Sequence, residues 1–361
     1  MSTGPQSSYF KEFFTTEKSL REAFLENARA SGYKKSTVSQ AKAWLKKSRK
    51  RFSEILGQHR FKKIPLNAKK LSAERVGEIL REEWLLQTEK DVWMPVTLLI
   101  PEGVKMEAAV ICSHGHGMAG RFGPAGRRDI PAMKKVFDQY ACDYGWKLAK
   151  LGFIAACPDA RGFGQRREGR MQNDIENPDN LYHSTCRPIQ LASVPLGLNL
   201  QGMRAWDSRR LVDWLEKDAR VDPDRLGAIG LSGGGMQTLN LSALDTRVKA
   251  AVVSGYYYGV RESLQEMNEN CMCNMVPNLW EHFDMGDLGA LSAPRALFIE
   301  TGDKDPLNGK SGVENVKSQV RIAKRAFEDL GVGDQLQHHV FDGPHTFCGE
   351  KSLSWLVEKL G

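Results

Sequence analysis

The five residues Gly230-Leu231-Ser232-Gly233-Gly234 constrain the fold of this chain more than any other stretch. They follow an apolar run at 226–229 and precede a segment, 236–244, that reads as a helix. The sequence therefore predicts a strand, a sharp turn and a helix, with a serine at the tip. Glycines two positions before and after the serine let the chain turn tightly while the serine takes a strained conformation and its hydroxyl projects above the sheet. The pattern is weak alone: in 361 residues with 34 glycines it arises by chance about 0.2 times. Its flanks and downstream partners decide its meaning.

From about residue 83 the chain turns to short β runs. Residues 84–88 and 92–100 read as neighbouring strands and 108–112 as a buried one. Helix 144–151, strand 153–157, helix 203–215, strands 226–231, 250–254 and 296–301, helix 313–330, strand 336–341 and helix 353–360 follow. Alternation of this kind predicts an α/β fold, a mainly parallel sheet with helices on both faces. Ligands then bind outside the carboxyl ends of the strands, so chemistry is expected in the loops that follow them. Two of those loops, 118–136 and 162–199, are long enough to read as lids. Ahead of the strands, 8–30 and 36–57 read as two helices parted by Ser31-Gly32-Tyr33. The expected organisation is an N-terminal helical extension at 1–75 and a catalytic domain at 76–361. The extension could cover the mouth of the site, join two copies in a homo-oligomer, or cover one flank of the sheet; the expectation is that it shapes access or assembly and carries no chemistry.

The net charge of +7 is uneven. Residues 1–75 hold 18 Lys and Arg against 6 Asp and Glu, a balance of +12, which leaves −5 for 76–361. The densest run, Lys46-Lys47-Ser48-Arg49-Lys50-Arg51, is interleaved with Trp44, Leu45, Phe52, Ile55 and Leu56 at helical spacing. That pattern describes an amphipathic helix with a solvated basic face, so nucleic acid is not an expected partner. No apolar run approaches the roughly 20 residues that span a bilayer, so no membrane partner is expected either. Residues 1–14 lack the basic start and apolar stretch of a signal peptide, and seven irregularly spaced cysteines suit free thiols. Cytoplasm is the expected location.

A serine hydroxyl becomes a nucleophile only when a base removes its proton, so Ser232 needs a histidine and an orienting carboxylate. Both stand in loops after strands: Thr301-Gly302-Asp303-Lys304-Asp305-Pro306, then Asp342-Gly343-Pro344-His345-Thr346-Phe347. Of eight histidines, His338 and His339 lie within or beside a strand and His59, His183 and His282 lack the strand-end context, so His345 is the expected base. Asp303 and Asp305 both remain as acids on spacing alone. The order Ser, Asp, His is the one expected of an α/β-hydrolase.

The chain resembles α/β-hydrolases of the dienelactone-hydrolase-like and acetyl xylan esterase-like branch, from about residue 80 to the end. The residues that carry the resemblance are His114-Gly115-His116-Gly117, Pro158-Asp159-Ala160-Arg161-Gly162-Phe163-Gly164, the elbow at Ser232, Cys271-Met272-Cys273-Asn274 with Pro277, Ala293-Pro294-Arg295, Gly302 to Asp305, and His345. The resemblance implies an α/β-hydrolase fold with a mainly parallel eight-stranded sheet. It implies Asp305 as the acid, three residues after Gly302. An oxyanion needs two preorganised donors: the N–H of Gly233, after the nucleophile, and, by similarity to members with an HGx motif, the N–H of His116. Dienelactone hydrolases use a cysteine nucleophile, so the serine here favours ordinary ester hydrolysis. The implied substrates are acetylated carbohydrates or other small acyl esters, with no cofactor. Amide cleavage by the same triad and a non-catalytic binding role are the alternatives.

Other residues invite further readings. His114 and His116, with Cys112 and Asp159, suggest a metal, but their alternation with glycines suits an oxyanion loop and no fourth ligand stands at metal-site spacing, so no metal is expected. Cys271 and Cys273 form a single CxC with no second pair, which reads as small buried side chains supporting the loop after strand 250–254. His114, Arg161 and Tyr256 are the expected substrate contacts. Arg121, Arg127 and Arg128 in the first long loop, and Arg161, Arg166, Arg167 and Arg170 in the second, read either as substrate-recognising cations or as ion-paired lid residues.

Overall fold

A computed structural model describes residues 16–169, 181–266 and 270–361. Nine strands form one sheet: β1 Lys69–Val76, β2 Ile79–Glu89, β3 Val92–Pro101, β4 Glu107–Ser113, β5 Ile154–Pro158, β6 Val221–Leu231, β7 Val248–Ser254, β8 Ala296–Gly302 and β9 Leu336–Phe341. Their order is β1-β2-β3-β5-β4-β6-β7-β8-β9. β1, β2 and β3 join by antiparallel pairing, and β3 meets β5 antiparallel. From β5 through β9 every pairing is parallel.

The expected eight strands become nine because β1 joins the edge, and the expected boundary at 75/76 falls inside it. β1 is solvent-exposed over nearly its whole length, and Lys69, Lys70, Glu74 and Arg75 leave it no apolar alternation. Backbone pairing to β2 alone makes it a strand, and its charges protect the open edge from further pairing.

The parallel strands read as apolar runs because both faces are covered. In β4, Val110 and Cys112 pack with Tyr144, Leu148, Trp355 and Leu356 on one side, while Ala109 and Ile111 pack with Leu211, Val212 and Leu215 on the other. In β7 and β8, Val252 and Phe298 join the first layer; Ala251, Val253, Leu297 and Ile299 join Leu239, Ala243 and Phe327 on the opposite face. Helices Tyr144–Lys150 and Ser352–Leu360 therefore cover one face, and helices Leu200–Leu215, Gly233–Leu244 and Val313–Asp329 the other.

Outside that second layer lies the helix Val38–Ile55. It starts with a capping box in which Thr37 Oγ1 accepts from Gln40 N–H and Gln40 Oε1 accepts from Thr37 N–H. Leu45, Phe52 and Leu56 enter the core of the second face. Within the basic run, Arg49 turns inward and donates to the carbonyls of Ala243 and Leu291. The preceding segment is fastened by Arg29, whose guanidinium donates twice to the buried carboxylate of Asp287 at 2.7 and 2.9 Å. This geometry lays the helix Val38–Ile55 over one flank of the sheet. Among the described residues no helix is long and apolar enough to cross a membrane.

Candidate active site

Strand register brings the carboxyl ends of five parallel strands into a row. Ser113 pairs with Gly230, Leu231 with Ser254, Ser254 with Glu300, and Gly302 with Phe341. β4 lies between β5 and β6, so the chain reverses direction across the sheet at β4, the switch point where α/β sheets bind ligands. The loops after β4, β6, β7, β8 and β9 all open here.

Ser232 stands between β6 and the helix Gly233–Leu244 at φ 59° and ψ −125°. A non-glycine residue in that region is strained and is held there by its surroundings. The neighbouring glycines are required by contact. A Cβ on Gly230 would stand 2.4 Å from the Gly234 backbone, and one on Gly234 would stand 2.0 Å from the Ser113 carbonyl oxygen. A Cβ on Gly115 would meet Leu231 O at 2.7 Å and Ser232 Cβ at 2.9 Å. The loop after β4 thus lies directly against the elbow. The N–H groups of His116 and Gly233 have no hydrogen-bond acceptor among the described residues.

His345 Nδ1 stands 2.6 Å from Asp305 Oδ2. The Asp305 carboxylate is buried, and its Oδ1 accepts the N–H of Leu307 at 2.9 Å. Asp303 is exposed and accepts the N–H of Gly343, bracing the turn that precedes His345. The imidazole lies over Gly255, where a Cβ would stand 3.1 Å from His345 Cε1. The residue before Gly255, Ser254, accepts the Ser232 N–H through its carbonyl at 2.9 Å. Elbow, imidazole and acid are thereby gathered at one place.

Two anchors of this arrangement escaped the sequence reading. Glu300, 1% exposed, accepts from Ser254 Oγ and Cys348 N–H through Oε1, and from Gly349 N–H and Ser352 Oγ through Oε2. It ties the loop carrying His345 to the strand beside the elbow. A carboxylate inside an apolar strand was its signal. Glu300→Gln places an amide NH2 against N–H or O–H donors, which costs about 1–3 kcal/mol. The expected result is a lower Tm and a lower kcat at nearly constant KM; an unchanged kcat would leave Glu300 a purely structural role. Asp159, the second anchor, accepts from the Arg121 N–H and guanidinium and from Gln165 N–H. It holds both long loops at once, and Gly120 and Gly164 leave it room, since a Cβ on either would stand 2.3 Å from Oδ1.

The three expected substrate contacts are instead engaged within the protein. His114 is fully buried, accepts from Ala160 N–H through Nε2 and places Nδ1 3.1 Å from Gly115 O. Burial pushes its pKa down to about 4, so it is neutral. Arg161 is paired with Asp207 and Glu89. Tyr256 is buried and donates to Asn274 Oδ1 at 2.6 Å. The other loop arginines are ion-paired too: Arg121 with Asp159 and Glu83, Arg127 with Asp129, Arg128 with Asp143, and Arg166 with Asp207. Arg167 donates to Gly164 O, and Arg170 lies outside the described residues.

The cysteines are the larger surprise. Cys112 and Asp159 do not join His116. Instead, Cys186 from the second long loop and Cys271 and Cys273 converge on it, with the four side-chain ligand atoms all within 4.8 Å of one another. The CxC pair thus has distant companions that linear spacing hides.

A family model described as the abhydrolase family matches residues 11–339. The chain is 26% identical over 259 residues to the candidate hydrolase YtaP of Bacillus subtilis (strain 168), covering 71% of this chain and 80% of that one. It is 26% identical over 187 residues to the 4-O-methyl-glucuronoyl methylesterase of Hypocrea jecorina (strain QM6a), covering 43% of this chain and 39% of that one. Among solved structures, a candidate acetyl xylan esterase from Bacteroides fragilis matches with a TM-score of 0.73 at 17% identity, over 91% of this chain and 83% of that one. A glucuronoyl esterase from Solibacter usitatus matches with a TM-score of 0.59 at 21% identity, over 93% and 97%.

Proposed function

The chain belongs to the abhydrolase family, the α/β-hydrolases, and on that footing we propose that it is a serine carboxylic-ester hydrolase. One observation carries the reading: the 2.6 Å contact of His345 Nδ1 with the buried Asp305, at the side of a serine in a strained elbow. Asp305 holds the ring with its other nitrogen, Nε2, free to take the Ser232 proton as Oγ attacks the ester carbonyl. The N–H groups of Gly233 and His116 receive the negative charge that develops on the carbonyl oxygen. The alcohol leaves with the proton returned by His345. Water then attacks the acyl-enzyme by the same route and releases the acid.

Acyl esters of carbohydrates or other small alcohols are the proposed substrates. The names borne by the similar proteins, an acetyl xylan esterase and glucuronoyl esterases, support that class. The test is a panel of acetylated sugars, glucuronate methyl esters, p-nitrophenyl esters and aminoacyl amides. Ester turnover well above amide turnover is expected, and a preference for amides would overturn the proposal in favour of a peptidase.

The choice of acid is testable separately. Asp305→Asn removes the charge that supports the imidazolium, with an expected loss in kcat on the order of 10⁴-fold. Asp303→Asn weakens only a turn and is expected to change kcat less than about threefold. Equal losses in both variants would return the assignment of the acid to an open choice.

A further inference from the structure

We propose that His116, Cys186, Cys271 and Cys273 form a structural zinc site that locks the loops around the elbow. His116 comes from the loop after β4, Cys186 from the first position of the helix Cys186–Ser193, and Cys271 and Cys273 from the loop after β7. All four ligand atoms lie within 4.8 Å of one another. His116 Nε2 is 3.5 Å from Cys273 Sγ and 3.9 Å from Cys186 Sγ. A tetrahedral zinc with bonds of about 2.3 Å to sulphur and about 2.0 Å to nitrogen requires sulphur–nitrogen edges of about 3.5 Å. All three cysteines are free thiols, whereas a disulfide would draw two sulphurs to about 2.0 Å.

The surroundings suit three thiolates around a dication, a unit with one net negative charge. Arg204 is 1% exposed and donates through Nη2 to Cys186 Sγ at 3.1 Å. Its other hydrogen bonds go to the Arg161 carbonyl, and its Nη1 has no acceptor. Among the described residues it forms no ion pair with a carboxylate, although an isolated buried cation is costly. The sulphur cluster supplies the missing countercharge. A Cys3His set also selects zinc over hard oxygen-seeking cations.

The cluster is held in place from outside as well. Asn274 accepts from Tyr256 Oη and donates to the Cys271 carbonyl, bracing the turn of the CxC pair. Gln190 donates to the Met275 carbonyl and ties that turn to the helix carrying Cys186. Phe163 stands edge-on to the His116 ring at 4.9 Å. A Cβ on Gly233 would lie 3.0 Å from His116 Nδ1, so the ring also rests on the elbow. With four protein ligands the site is closed, as structural zinc sites are. Its chemistry is to release the thiol protons on binding and to fix three loops that no regular secondary structure joins.

The test uses the full-length protein, freed of any affinity tag and grown with added zinc. Plasma mass spectrometry is expected to find about one zinc per chain, and cobalt substitution to give the visible bands of tetrahedral thiolate coordination. Chelation is expected to lower Tm by at least about 5 °C, with recovery on adding zinc. Cys186→Ser and Cys273→Ser are expected to fall below about 0.1 zinc per chain. Because replacing a buried thiol can disturb packing, Cys271→Ser, at a half-buried position, supplies a second reading: a folded protein that yields zinc to a competing chelator at least about tenfold more readily. Wild-type protein with less than about 0.1 zinc per chain and no cobalt spectrum overturns the site, as does a native disulfide among these cysteines. Metal content is read without substrate, so its outcome is separate from that of the ester panel.

Discussion

Ser232→Ala is expected to reduce ester hydrolysis by about 10⁴- to 10⁶-fold in kcat, with what remains coming from binding and the oxyanion donors. The substitution removes one oxygen from a side chain that makes no cap hydrogen bond. The backbone strain at φ 59° persists in alanine, so Tm is expected to shift by less than about 2 °C. Steady-state release of p-nitrophenol checks the first number and calorimetry the second. A fluorophosphonate probe should label Ser232 in the parent protein and fail in the variant. Activity retained in Ser232→Ala would end the acyl-enzyme mechanism, whatever the substrate.

Gly234→Ala is expected to produce the largest loss of stability of any single methyl in the chain's catalytic region. The added carbon would stand 2.0 Å from Ser113 O, 2.8 Å from Ser113 C and 3.0 Å from His114 C, all of them backbone atoms on the neighbouring strand and loop. Nothing flexible can move aside, so β4 and the elbow must separate. A cost of about 3 kcal/mol or more is expected, at the upper end for overpacking, seen as a fall in the urea midpoint. Gly233→Ala makes the comparison informative. Its Cβ meets a side-chain atom, His116 Nδ1, at 3.0 Å, and its cost should be smaller. Equal stability losses would place the strain elsewhere.

These two experiments probe the part of the protein that was most readable in advance. The elbow is visible in sequence because strand, turn and helix occupy adjacent residues, although the contact that requires Gly234 comes from Ser113 on the neighbouring strand. The proximity of Asp305 and His345 could be anticipated for a related reason, since each follows an apolar strand and the parallel sheet sends such loops to one end. The choice between Asp303 and Asp305 was not local. It rests on which carboxylate the turn buries: Asp305 faces the imidazole, and Asp303 braces the neighbouring turn.

Substrate contacts were the least legible. His114, Arg161 and Tyr256 have the chemistry of recognition, but each is engaged inside the fold, with partners up to 72 residues away in sequence. Ion pairing of the loop arginines is likewise a matter of which carboxylates the folded loops bring near. β1 was hidden for the opposite reason. Its side chains carry no pattern, and its strand character comes from hydrogen bonds that β2 supplies.

By itself, the sequence carried the α/β layering and the strand, turn and helix around Ser232, because these follow from the periodicity of apolar residues and from glycines on either side of one serine. Tertiary structure alone decided the ninth strand, the anchoring roles of Glu300 and Asp159, and the meeting of Cys186, Cys271 and Cys273 with His116. The Glu300 anchor and the cysteine cluster join residues tens to more than a hundred positions apart, and the ninth strand depends on backbone pairing that only β2 supplies. Linear spacing carries no information about such contacts until packing and strand register have closed the distance.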